Sequence, residues 1–318
     1  MSSAQTPRNI GFIGLGAMGF WMAKNLRSKL PESARLHIHD VNKEVLEKFH
    51  TTYGSLGTII VCGSSEEVVA KSDCIISIVP EGKHVTAVYS SSPGGALANP
   101  DISGKLVLEC STIDMETSQR VSAEVMRRGA IFVDAPVSGG PAGAENGTLT
   151  FMMGLDAAHP HLERIKTILG MMGKNLFECG GPTLGLATKI CNNYISGTIA
   201  IATSEGYNLA IRLGLNPKTF QQVLAVSTGG SWVNSNCNPV PGVDPKAPAS
   251  NDYAPGFKVQ FMRKDYDLAI RAAEQCGAQL YLGPPGLQVY TEAAAHPDCV
   301  DRDSRVVYRF IGGPEKWP

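Results

Sequence analysis

Ile10-Gly11-Phe12-Ile13-Gly14-Leu15-Gly16-Ala17-Met18-Gly19 runs from a short apolar stretch into Phe20-Trp21-Met22-Ala23-Lys24-Asn25-Leu26, which reads as a helix. Strand, glycine turn, helix is the context in which a GxGxxG pattern implies dinucleotide binding. Gly14 permits the sharp turn and Gly16 lets backbone approach a pyrophosphate. Gly19 lets helix and strand pack closely, with phosphates at the positive helix end. A second apolar run, Leu36-His37-Ile38-His39, leads to Asp40. That is roughly the spacing at which a carboxylate accepts hydrogen bonds from the adenosine ribose. A carboxylate there favours NAD and repels the 2′-phosphate of NADP, although nearby Lys43 softens that preference.

Outward from this turn the first half alternates β-branched runs with helical patterns. Strands are expected at 10–13, 36–39, 58–61, 74–79, 106–109 and 131–134. Helices are expected at 43–51, 66–70 and 115–128. This rhythm predicts a parallel, doubly wound α/β sheet of Rossmann type. Two further strands, 148–153 and 175–179, flank a helix at 162–169. Gly180-Gly181-Pro182 then breaks the pattern. The proline-free run from Thr183 to Leu213 reads as one helix, on the order of 45 Å long at about 1.5 Å per residue. Such a length suits a helix between domains. Helical patterns return at 217–226, 265–275 and 286–295, and residues 234–256 read as a long Pro-, Asn- and Gly-rich loop. The expected organisation is a cofactor-binding domain at 1–181 and an all-helical domain at 182–318.

Composition is consistent with this. The 318 residues suffice for about two domains. Hydrophobic residues make up 43% and charged residues 18%, a balance that supplies ample core. The net charge of −1 gives no field that would draw nucleic acid or an anionic membrane. The eight cysteines have neither CxxC spacing nor histidine neighbours, so reduced, mostly buried thiols are expected rather than a disulfide frame or zinc site. No apolar run approaches the roughly 20 residues of a membrane span. The few residues ahead of Asn9 carry no secretory or organelle signal pattern.

Four further features bear chemistry. Val79-Pro80 ends the fourth expected strand, at the sheet end where ligands of open α/β sheets bind; the plain alternative is a proline that stops a strand. Asp134-Ala135-Pro136-Val137-Ser138-Gly139-Gly140 offers a hydroxyl and closely spaced backbone N–H groups, a set suited to a carboxylate; alone it also reads as an ordinary loop. Lys189 and Asn193 lie four apart on the long helix and so share a face. The surrounding helix is largely uncharged, which favours a partly desolvated amine fit for acid/base work. Gly256 to Asp265 contains Phe257 and the pair Lys264-Asp265; by itself it reads as an amphipathic segment with a basic face.

Taken together, Gly11–Leu26, Asp134–Gly147, Gly185–Asn193 and Gly256–Asp265 resemble the β-hydroxyacid dehydrogenase family. The stretch Asn238-Pro239-Val240-Pro241-Gly242-Val243, followed by Ala249-Ser250-Asn251-Asp252-Tyr253, is similar to members that oxidise 3-hydroxyisobutyrate rather than to glyoxylate or tartronate semialdehyde reductases. The resemblance spans about residues 9–312. It implies that Lys189 is the catalytic acid/base and that Asn193 holds the substrate. It implies that Ser138, Gly139 and Gly140 bind the substrate carboxylate. Gly14, Gly16, Ala17, Met18, Gly19, Asp40, Val79, Pro80, His84, Thr112 and Lys264 match cofactor-contact positions, and Phe257 and Asp265 match cleft-lining positions. Three residues depart from the family pattern: Trp21 replaces a proline in the first helical turn, His84 an asparagine, and Ala17 an asparagine.

The implied reaction is reversible oxidation of a primary alcohol β to a carboxylate, 3-hydroxyisobutyrate to methylmalonate semialdehyde, with NAD as hydride acceptor and no metal. The alternatives are reduction of glyoxylate, succinic or tartronate semialdehyde, or a non-catalytic NAD(P)-binding module. 6-Phosphogluconate dehydrogenase fits less well, because its sugar-phosphate pattern is not evident. The resemblance further implies a homodimer or homotetramer. For compartment it implies the mitochondrial matrix in a eukaryote and the cytoplasm otherwise.

Overall fold

The computed structural model describes residues 7–317. Residues 1–6, part of the segment read as free of a targeting signal, lie outside the described residues. The backbone divides into two compact units, the first ending at Lys189 and the second beginning at Ile190.

The first unit alternates strands and helices: β1 (Asn9–Ile13), α1 (Gly19–Lys29), β2 (Arg35–His39), α2 (Lys43–Tyr53), β3 (Ile59–Val61), α3 (Ser65–Lys71), β4 (Cys74–Ser77), α4 (Gly82–Val88), β5 (Leu106–Glu109), α5 (Met115–Arg127) and β6 (Ile131–Asp134). The six strands pair in the order β3-β2-β1-β4-β5-β6, and every pairing is parallel. Strand order reverses between β1 and β4, the switch point outside which such sheets bind ligands. Both faces are covered, so the central strands are apolar throughout: Ile10, Phe12, Ile75, Ile76, Leu106 and Leu108 are all buried. Side-chain caps fix where helices begin. Asn42 accepts from the Glu44 N–H at 2.9 Å, Ser64 from Glu67 at 3.1 Å, and Asp114 from Thr117 at 2.7 Å.

After β6 come β7 (Val137–Ser138), α6 (Gly140–Asn146), β8 (Leu149–Met153), α7 (Leu162–Leu169) and β9 (Gly173–Glu178). The two expected strands of this region thus join β7 in a separate three-stranded sheet, β7-β8-β9, antiparallel at β7/β8 and parallel at β8/β9. The fourth strand stops at Ser77 instead of reaching Val79, because the chain turns there into Pro80 and α4.

The expected long helix is α8 (Leu184–Arg212). It starts one residue late: Thr183 has φ +68°, outside the helical region. The second unit continues with α9 (Pro217–Ala225), α10 (Trp232–Asn236), α11 (Val259–Cys276), α12 (Gly283–Ala295) and α13 (Val307–Phe310). The loop expected at 234–256 is partly ordered by the end of α10 and a 3₁₀ turn at Pro248–Asn251. Helix α11 begins six residues before the expected Asp265, at Val259. The unit is cored by Tyr253, Tyr266 and Tyr290 with Val259, Met262 and Val306, and by a smaller group around Tyr207, Val240 and Tyr308.

All eight cysteines are free thiols, five of them buried, as composition suggested. Among the described residues no helix is long and apolar enough to cross a membrane.

Candidate active site

The glycine turn is built by three different constraints. Gly14 has φ +94°, and a Cβ there would lie 2.1 Å from the Ile78 carbonyl oxygen. A Cβ on Gly19 would lie 1.9 Å from the Gly14 oxygen, so the start of α1 can close on the turn only without one. Gly16 is different: a Cβ there would have no protein atom within 4 Å. Gly16 and Ala17 are exposed, so the turn keeps bare backbone beside the amino end of a helix, a cradle that fits a pyrophosphate. Helix α1 forms without the proline that Trp21 replaces and without a side-chain cap. Trp21 instead packs edge-on against Phe20, with ring centroids 5.6 Å apart.

Asp40 stands at the end of β2, as the spacing predicted, and also holds the turn. Its Oδ2 accepts from the Leu15 N–H at 2.6 Å and its Oδ1 from Asn42 at 2.8 Å. A carboxylate offers about four acceptor sites, so capacity remains for a ribose hydroxyl.

The turns after β4 and β5 carry Val79, Pro80 and Thr112, and they are tied together by a buried residue that sequence reasoning missed. Glu109 is 2% exposed. Its Oε1 accepts from the Ser111 N–H at 2.7 Å and its Oε2 from the Ser77 hydroxyl at 2.5 Å. Ser77 also meets the Tyr89 hydroxyl at 2.6 Å, and the Ser111 hydroxyl accepts from the Val79 N–H at 2.8 Å. Burial pushes the Glu109 carboxyl up to about 7; bonds from Ser111 and Ser77 act against this, and neighbouring Asp134 adds to it. His84 is half-buried in the first turn of α4.

In the Ser138-Gly139-Gly140 turn, Ser138 ends β7 opposite Thr150. Gly139 and Gly140 have φ +131° and +62°, so the backbone shape itself demands glycine. Asp134, four residues ahead of Ser138, is a second residue with no role assigned from sequence. Its carboxylate is buried and accepts from the N–H groups of Thr183 and Leu186, each at 2.8 Å. It therefore caps α8. Burial raises its pKa, opposed by those backbone bonds. Lys189 follows on α8 and is 8% exposed.

In the second unit Asn193, Lys264 and Asp265 come together. The Asn193 amide donates to Asp265 Oδ2 at 2.5 Å, and Lys264 Nζ lies 3.1 Å from Asp265 Oδ1. Asp265 is 2% exposed. Phe257 lies just ahead of α11, where its N–H donates to Asp303 at 2.8 Å. Asp303, which the sequence did not single out, is 2% exposed and also accepts from the Arg305 N–H at 2.9 Å. A Cβ on Gly256 would be 2.1 Å from an Asp303 carboxylate oxygen, so the chain passes this carboxylate only with glycine there.

Comparison with known proteins bears on the family and the fold. Residues 9–181 match the family model described as the NAD binding domain of 6-phosphogluconate dehydrogenase. Residues 184–311 match the model described as NAD-binding of NADP-dependent 3-hydroxyisobutyrate dehydrogenase. The mitochondrial 3-hydroxyisobutyrate dehydrogenase of Homo sapiens is 38% identical over 309 residues, covering 97% of this chain and 88% of the relative. An NAD-dependent L-serine dehydrogenase of Pseudomonas aeruginosa is 37% identical over 304 residues, covering 96% of this chain and 98% of the relative. The solved Mycobacterium tuberculosis 3-hydroxyisobutyrate dehydrogenase, whose structure is described with L-serine, superposes with a TM-score of 0.84 at 32% identity and covers 96% of this chain and 99% of its own. Glycine cradle, acid-terminated β2, doubly wound sheet and near-full-length likeness converge: the chain belongs to the 3-hydroxyisobutyrate dehydrogenase family of NAD(P)-binding oxidoreductases.

Proposed function

We propose that this protein catalyses the reversible, NAD-linked oxidation of 3-hydroxyisobutyrate to methylmalonate semialdehyde, with Lys189 as general base in oxidation and general acid in reduction. The observation that carries the reading is a buried lysine in the second turn of a helix whose first turn is capped by Asp134. That aspartate also leads the chain into the Ser138-Gly139-Gly140 turn. Residues 1–181 would serve cofactor binding, and residues 182–318 substrate binding and subunit association.

Each residue has a distinct task. The Ser138 hydroxyl and the N–H groups of Gly139 and Gly140 receive the substrate carboxylate. Asn193, held by Asp265, orients the alcohol, with Phe257 as an apolar wall. The Lys189 amine takes the hydroxyl proton; as an ammonium it returns the proton and stabilises charge developing on oxygen. Gly14, Gly16, Ala17, Met18 and Gly19 hold the pyrophosphate. Asp40 holds the ribose, and Val79, Pro80, His84, Thr112 and Lys264 contact the rest of the cofactor. Bound nicotinamide supplies the hydride acceptor.

L-Serine is the second substrate to consider. It shares the carboxylate and the primary β-alcohol, and it stands in the descriptions of two relatives. In a eukaryotic source the mitochondrial matrix is the compartment this reading favours, in keeping with relatives named mitochondrial. The test is absorbance at 340 nm with 3-hydroxyisobutyrate, L-serine and the semialdehydes, each with NAD and with NADP. The expected result is highest kcat/KM for 3-hydroxyisobutyrate with NAD. Lys189→Ala is expected to lower kcat at least about 100-fold while cofactor still binds. Near-normal turnover in that variant would remove lysine from the chemistry.

A further inference from the structure

We infer that Asp134 is a positioning residue for Lys189: its carboxylate fixes the start of α8 against the strand that feeds the substrate-carboxylate turn. The inference rests on the reading of Lys189 as the acid/base.

Four observations within the first unit carry it. The two carboxylate oxygens of Asp134 are used separately, one on the Thr183 N–H and one on the Leu186 N–H, both at 2.8 Å. These are two of the amide groups that a helix start leaves without intrahelical partners, and they lie at the positive end of the helix dipole. The Asp134 carbonyl oxygen is also engaged, accepting from the Gly154 N–H at 2.8 Å. One residue therefore ties β6, the end of β8 and the start of α8.

The surrounding chain is shaped for this close approach. A Cβ on Gly154 would lie 1.9 Å from Asp134 Oδ1. A Cβ on Gly185 would lie 2.2 Å from the Met152 oxygen and 3.0 Å from the Asp134 carbonyl oxygen. Thr183 accepts a left-handed φ of +68°, unfavourable for a β-branched residue, and this delivers its N–H to the carboxylate. Gly185 and Lys189 are four apart and share a face of α8. The lysine thus rises one turn above the point where the helix is pressed against the strand ends. Displacing the cap moves that turn, and a shift of about 1 Å in a reacting group can cost about 100-fold in rate.

The test compares Asp134→Asn, Gly154→Ala and Lys189→Ala with the parent enzyme. Asp134→Asn keeps one acceptor and turns an NH2 toward the other backbone N–H. Gly154→Ala leaves the charge but pushes the carboxylate off its two partners, so it decides the matter if the asparagine variant does not fold. Rates are normalised to cofactor-binding sites. The expected result is a fall in kcat between about 10-fold and about 100-fold, with KM and Kd for the cofactor within about 2-fold of the parent. A purely structural role would lower thermal stability and leave kcat per competent site unchanged. Parent-like kcat in a folded Asp134→Asn or Gly154→Ala variant, with Lys189→Ala inactive, overturns the inference and leaves the acid/base assignment standing. Parent-like kcat in Lys189→Ala overturns both.

Discussion

Glu109 ends an apolar strand with its carboxyl sealed from water between Ser77 and Ser111. Its pKa is raised from 4.5 to about 7 by burial, so the folded protein prefers the protonated form. Below pH 4.5 folded and unfolded chains both hold the proton, and the group's contribution to stability is fully present. As pH rises the unfolded chain releases the proton first, and the contribution is lost progressively through about pH 7. Glu109→Gln imitates the neutral form at every pH. Denaturant unfolding at pH 5 and pH 8 is expected to show the variant gaining about 2–3 kcal/mol on the parent between the two values. An unchanged difference would mean that the folded carboxyl is ionised throughout. The contrast between this residue and Asp40 shows what a single residue discloses in sequence. Asp40 follows a strand at a spacing fixed by the dimensions of a dinucleotide, so its place could be read. Glu109 and Asp134 look like ordinary polar strand ends. Ser77 meets Glu109 through the pairing of β4 with β5, and the partners of Asp134 at the start of α8 lie 49 and 52 residues further along the chain.

At the scale of elements, β1, the glycine turn and α1 make one device in which each glycine answers a different demand. Gly14 and Gly19 are required by the protein itself, since a Cβ at either would strike backbone. Gly16 is required by nothing in the protein, because a Cβ there meets no atom within 4 Å. Gly16→Ala is therefore expected to leave the melting temperature within about 2 °C of the parent. It should weaken NAD binding at least about 10-fold, because the added methyl occupies the space through which the pyrophosphate approaches. Calorimetric titration beside thermal unfolding checks both halves; unchanged affinity would place the phosphates elsewhere. The alternating strands and helices of this unit were legible because period and length agree. The start of α11 was not read, although Val259, Met262, Tyr266, Ala269 and Ala273 are buried at helical spacing. The charges of Lys258, Arg263 and Lys264 obscured that stripe. Short β7 was hidden as well, since two residues carry no period.

The whole molecule is divided inside a helix: the first unit ends at Lys189 and the second begins at Ile190, within α8. The helical unit exposes several large apolar side chains. Leu209 and Leu213 on and just past α8 are 61% and 72% exposed, and Val223 and Val226 at the end of α9 are 51% and 88% exposed. Singly exposed apolar residues need no explanation; gathered into one patch, such residues would mark a surface for association. A second copy of the chain is the simplest cover and matches the dimer or tetramer expected from family resemblance. A charge introduced at the centre of such an interface must be desolvated without a partner, which costs several kcal/mol, and two such charges weaken association accordingly. Light scattering is therefore expected to give a mass of two or four chains for the parent and to fall toward one chain for the pair Leu213→Glu and Val226→Glu. Because neither residue belongs to the proposed site, cofactor binding should survive in the dissociated form. A parent that scatters as a single chain at all concentrations would leave these side chains without a partner and remove subunit association from the account.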